Sequence, residues 1–188
     1  MRSFLLNFFC FGALCTLCIG LAACAGQRRE AYRAALAAPI PPADFSLSVT
    51  VLKAPADTAS RAAAYLRAPV ATRPARYIVE PDRVLRVALG SGAADTTFPT
   101  ATRQLTEGEF ASIWRTLQTS SLVSADHPAM VSRGPDAAEI GVRTLYVVAF
   151  NTAGVRRVFS IEAEPTAASG ADEAGRMVEQ LAGLAWQK

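Results

Sequence analysis

The sequence predicts an α+β domain: one antiparallel sheet of five to six strands, built from hairpins, with two amphipathic helices packed on one face. Three patterns carry this. In residues 45–52, FSLSVTVL, apolar and polar side chains alternate from Phe45 to Val51. Two further pairs of strand-like segments, within 76–90 and 139–161, each flank a short turn-forming sequence. Two stretches, one opening at Thr106 and one near Asp172, space their apolar residues for a helix. Tight turns between strands imply antiparallel pairing, and amphipathic helices can cover one apolar sheet face.

Taken in order, Phe45, Leu47, Val49 and Val51 share one face of the first strand, and Ser46, Ser48 and Thr50 the other. Residues 57–75 are Ala-rich and fit a short surface helix or a loop equally well. In 76–90, Pro81 suits the second position of a type I turn, with Asp82 beside it. Tyr77 and Val79 then share a face, as do Leu85, Val87 and Leu89 on the return strand. A short strand is expected over 98–105. Thr106-Glu-Gly-Glu109 has the pattern of a capping box, and Phe110, Ile113, Trp114 and Leu117 follow as one apolar stripe. Residues 124–138 form a Pro/Gly-containing loop. Segments 139–150 and 155–161 flank Asn151-Thr-Ala-Gly154 as a second hairpin. The last helix carries Ala174, Met177, Val178, Leu181, Leu184 and Ala185 on one side, with Ser169 placed to cap it.

The N-terminus has a different character. All four cysteines, Cys10, Cys15, Cys18 and Cys24, fall in the first 24 residues, and between Arg2 and Arg28 there is no charge. One basic residue, an apolar run and small residues at its end are the regions of an export signal. Cys15-Thr-Leu-Cys18 has redox or zinc spacing, but it lies in the apolar run with no histidine or second pair to complete a site. An uncleaved span is the rival reading, since the run approaches the ~20 residues that cross a bilayer. Arg28, Arg29 and Arg33 beyond it would even favour a cytoplasmic C-terminal side.

Leu21-Ala22-Ala23-Cys24 resembles the lipobox of bacterial lipoproteins. The resemblance implies that residues 1–23 are a signal peptide cut between Ala23 and Cys24. It also implies that the Cys24 thiol carries a diacylglyceryl group and the new amine an acyl chain such as palmitate. This outweighs the charge pattern of the flanks. Ala25, in place of an aspartate, resembles outer-membrane sorting in enteric bacteria, so the outer membrane facing the periplasm is expected rather than the inner membrane. Residues 24–43 would then be an Ala/Pro-rich tether: a turn or two of helix ended by Pro39, Pro41 and Pro42, leading to a single domain over 44–188. With no thiol left in that domain, disulfides cannot hold it together, and an apolar core must.

The net charge is +3, of which Arg2 would be removed with the signal. So near-neutral a balance argues against a nucleic-acid partner. The sole histidine, His127, has neither a G-x-S-x-G serine nor a reactive cysteine to serve, and no further ligands for a metal. Carboxylates that could do acid–base work are scattered: Glu80 and Asp82, Glu107 and Glu109, Glu162 and Glu164, Asp172 and Glu173. Those at helix starts are accounted for by capping and the helix dipole. Gly90-Ser91-Gly92 lacks the lysine and the helix of a phosphate-binding loop. Arg156-Arg157 sits on a strand, where one side chain must face solvent, Trp114 belongs to a core stripe, and Trp186 fits core or surface. No catalytic, cofactor or metal site is therefore assigned.

The order of strand pairs, the stretch LTEGEFASIWRTL (105–117), a second hairpin and a terminal helix is similar to small bacterial domains of the emfourin type. That resemblance covers 76–187 at pattern level and implies metalloprotease inhibition as an alternative function. It carries over no residue. The expectation is a non-catalytic, lipid-anchored envelope module that binds or assists an envelope protein. A hydrolase using paired carboxylates is the third reading.

Overall fold

Strict alternation in 45–52 becomes the spine of the molecule. Phe45, Leu47, Val49 and Val51 are at most 1% exposed, whereas Ser46, Ser48 and Thr50 are half-buried. A computed structural model describes residues 26–53, 69–90, 92–93, 95–123, 144–163 and 170–187. The strands are β1 (Ser46–Lys53), β2 (Ala75–Val79), β3 (Val84–Leu89), β4 (Ala101–Gln104), β5 (Thr144–Thr152) and β6 (Val155–Ala163). They form one sheet in the order β4-β3-β2-β1-β5-β6, with every neighbouring pair antiparallel. The helices are α1 (26–37), α2 (Glu107–Gln118) and α3 (Gly170–Trp186). Val70–Thr72 and Ser121–Val123 are single 3-10 turns. The α+β fold with a single antiparallel sheet thus stands as expected, with six strands.

Register puts like with like. Leu85, Val79, Leu47 and Phe150 face one another across four strands, and Val87, Tyr77, Val49, Val148 and Phe159 form the next row. The helices cover this face. The stripe Phe110, Ile113, Trp114 and Leu117 of α2 is buried, and so is the α3 stripe from Ala174 to Ala185. Phe45, just ahead of β1, meets Phe110 at 5.3 Å and the edge of Trp114 at 4.8 Å between ring centroids. Trp186 is 64% exposed and thus stands outside the core.

Both hairpins turn with positive φ at non-glycine residues. In the first, Arg83 N–H donates to Glu80 O and Glu80 N–H to Val84 O, with Arg83 at φ 71°. This is the expected Pro81-Asp82 type I turn, closed by a left-handed residue as in three-residue hairpin loops. In the second, the expected four-residue loop contracts to two, Ala153 (φ 50°) and Gly154 (φ 70°), with Asn151 and Thr152 paired in β5. The Asp44 carboxylate accepts from both turn amides, at 2.9 and 2.6 Å, which lets the ladder run to the turn. The short strand is also smaller than expected, Ala101–Gln104. Pro99 has no N–H for a ladder, and Phe98, 63% exposed, lies under the Arg86 guanidinium instead.

The expected tether departs furthest from its reading. Residues 26–37 are helical, Tyr32 is 7% exposed within the core cluster, and Leu36 packs against that cluster. Pro39 does follow the helix end, but the chain at that point is held: Trp114 Nε1 donates to Ala38 O at 3.0 Å, and Gln118 Nε2 to Leu36 O and Ala38 O. Three helices, not two, therefore flank the sheet among the described residues. Residues 1–25 (with Cys10, Cys15, Cys18, Ala23, Cys24 and Ala25), most of 57–75, residues 124–143 with His127, and 164–169 with Glu164 and Ser169 lie outside them.

Candidate functional site

The first described element after the Leu21–Cys24 segment in the chain is α1. Its sequence, GQRREAYRAALA, owes its helicity to alanines and long straight-chain residues, which lose little freedom in a helix. Tyr32 and Leu36, one turn apart, are its inward contacts. Arg157 on β6 places its guanidinium 5.8 Å from the Tyr32 ring and donates to the Tyr32 hydroxyl at 3.5 Å. Residues 26–31 are all exposed, so the leading part of the helix stands clear of the core. Arg28, Arg29 and Arg33 are exposed too, and no ion pair among the described residues engages them. Arg29, Arg33 and Ala37 follow one another at one-turn spacing along one flank. Gly26 is two residues beyond Cys24 in the chain.

The carboxylates singled out in the sequence whose side chains are described each engage a separate partner. Glu80 accepts from Arg86 Nε at 2.6 Å on the sheet face opposite the helices, and Asp82 accepts from the Val84 amide inside its turn. Glu107 pairs with Arg83 at 3.2 Å on the surface. Glu109 closes the capping box expected from Thr106-Glu-Gly-Glu: its Oε2 accepts from the Thr106 amide at 2.8 Å, while the Glu109 amide donates to the Thr106 hydroxyl. Its other oxygen accepts from Arg103 Nη2 at 2.6 Å. The hydrogen bond donated by the Thr106 N–H, chiefly, with help from the Thr106 hydroxyl and Arg103, holds this carboxyl below the usual carboxylate range against an opposing effect of burial. Glu173 on α3 accepts from the amide and hydroxyl of Ser121, both at 2.8 Å. The side chains of Glu162 and Asp172 lie outside the described set.

Among the described residues, two shallow clefts can be outlined. One of about 490 Å³ runs between α2 and α3, lined by Thr116, Thr119, Ser120, Glu173, Arg176 and Gln180. The other, about 400 Å³, lies over Ser48, Ile78, Ala149, Asn151 and Arg156 on the sheet face away from the helices. No family model matches the chain, nor does any curated protein. Among the described residues no group of three or more His, Cys, Asp or Glu is arranged to hold a metal ion, and no helix is long and apolar enough to cross a membrane. What the sequence missed is Tyr32, Arg103 and Asp44 as tie points. Each acts across a long stretch of chain, and their only local signal was the one-turn spacing of Tyr32 and Leu36.

Proposed function

We propose that the chain is a non-catalytic lipoprotein of a bacterial cell envelope, exported by the signal in residues 1–23 and held on the membrane by acylated Cys24. It serves there as a binding or accessory module for an envelope protein, on the periplasmic side of the outer membrane. The observation that carries this is the sequence Leu21-Ala22-Ala23-Cys24 at the end of an apolar run, two residues ahead of an exposed basic helix. The carboxylates support it from the other side. Glu80, Asp82, Glu107, Glu109 and Glu173 each hold a turn, a cap or a neighbouring element in place, and none faces a second across a cleft.

Mass spectrometry of the protein extracted from its native membrane tests the reading. The expected N-terminal peptide begins at Cys24 and carries a diacylglyceryl thioether and an amide-linked acyl chain. A peptide that begins at Met1, or an unmodified Cys24, would overturn it. In parallel, Cys24→Ser should leave the N-terminal segment uncut and the protein without lipid.

A further inference from the structure

An acyl anchor fixes a point and leaves orientation free, and a long flexible tether would leave it freer still. Here residues 26–37 form a helix packed onto the domain through Tyr32 and Leu36. Two residues span at most about 7 Å, so α1 starts within about one Debye length of the headgroups that surround an acylated Cys24. The helix presents three arginines and one glutamate, Glu30, all exposed. Guanidinium groups keep their charge and pair with phosphate oxygens in a fork.

We infer that α1 lies along the anionic phospholipid headgroups of the leaflet that holds the Cys24 acyl chains, with Arg29 and Arg33 facing them and Arg28 at the leading end. The helix thereby sets the orientation of the whole domain on the membrane. This rests on the lipid-anchor reading above. The arginines add little to anchoring itself, because two or more acyl chains already hold the protein on the bilayer. Their contribution is direction: each arginine near an anionic surface favours the bound arrangement by roughly fivefold. The helix transmits that preference because Tyr32, Leu36, Trp114 and Gln118 fix it to the core. The Arg28, Arg29 and Arg33 that argued against export in a charge count thus acquire a role on the exported side.

The test places a fluorophore on Ala37→Cys, an exposed position on the Arg29–Arg33 flank and the only free thiol in a chain whose Cys24 is acylated. The acylated protein is reconstituted in vesicles containing a lipid with a quencher on its headgroup. Quenching is expected to be several-fold stronger with phosphatidylglycerol present than in phosphatidylcholine alone. It should fall to the phosphatidylcholine level in high salt and in Arg28→Gln/Arg29→Gln/Arg33→Gln. Glu30→Gln should increase it. Vesicle association should stay unchanged throughout, since the acyl chains hold every variant. Equal quenching on both lipids, or in the triple variant and the wild type, would overturn the inference while leaving the anchor intact. A mass spectrum without acyl groups would remove both. Amide exchange of α1 in detergent confirms that the triple variant keeps its helix docked.

Discussion

Thr152 ends β5 fully buried, and its hydroxyl has no hydrogen-bond partner among the described residues. Burying an unsatisfied hydroxyl costs free energy that an isosteric methyl does not. Thr152→Val should therefore raise stability by about 1 kcal/mol, read as a higher midpoint in urea. A lowered midpoint would mean that the hydroxyl has a partner. One turn away, Asp44 shows the opposite case. Its carboxylate satisfies the amides of Ala153 and Gly154, both in the left-handed region, and its carbonyl accepts from Asn151 Nδ2. Asp44→Ala leaves two turn amides without their charged acceptor and should cost about 2 kcal/mol, whereas Asp44→Asn should retain part of this. Equal stability of wild type and Asp44→Ala would show that water replaces the carboxylate without loss.

At the scale of elements, α2 was fully legible before any tertiary contact was known. The capping box and a four-residue apolar stripe are local signals, and each stripe residue is buried. The tether was misread for the converse reason. Only Tyr32 and Leu36 give α1 an apolar side, amid alanines that fit any environment. What docks the helix end are side chains some eighty residues away, the Trp114 indole and the Gln118 amide, donating to the half-buried carbonyls of Leu36 and Ala38. Tyr32→Ala should cost about 3 kcal/mol of docking free energy. Amide exchange in 26–37 should then speed up far more than in β1 or β5. Uniform acceleration across the domain would instead make α1 part of the global folding unit.

At the scale of the whole molecule, Arg103 joins three elements. From β4 it donates to Glu109 at the start of α2 and to Leu184 O near the end of α3. Because the Glu109 carboxyl is held below its ordinary range in the fold, its contribution is complete above that range and is lost as pH falls through the depressed value. Glu109→Gln, which keeps the capping geometry without the charge, should be less stable than wild type at neutral pH. The gap should narrow as pH falls below the ordinary carboxylate range and close once the carboxyl is protonated in the fold as well. A gap that persists in acid would show that shape and not charge is what Glu109 supplies.

The sequence alone determined whatever is encoded over a few residues: the alternation that makes β1, the Pro81-Asp82 turn, the capping box, the two core stripes, and the resemblance of Leu21–Cys24 to a lipobox. The tertiary structure decided what depends on meetings between distant segments. It placed β1 between β2 and β5, extended the second hairpin to a two-residue turn under Asp44, engaged each described candidate carboxylate separately, and fastened the supposed tether to the core. The physical reason is the same in each case. Periodicity and capping report the free energy of one segment with solvent and with itself. Strand order, shared acceptors and the docking of an Ala-rich helix depend on partners that only the folded chain brings within hydrogen-bonding distance.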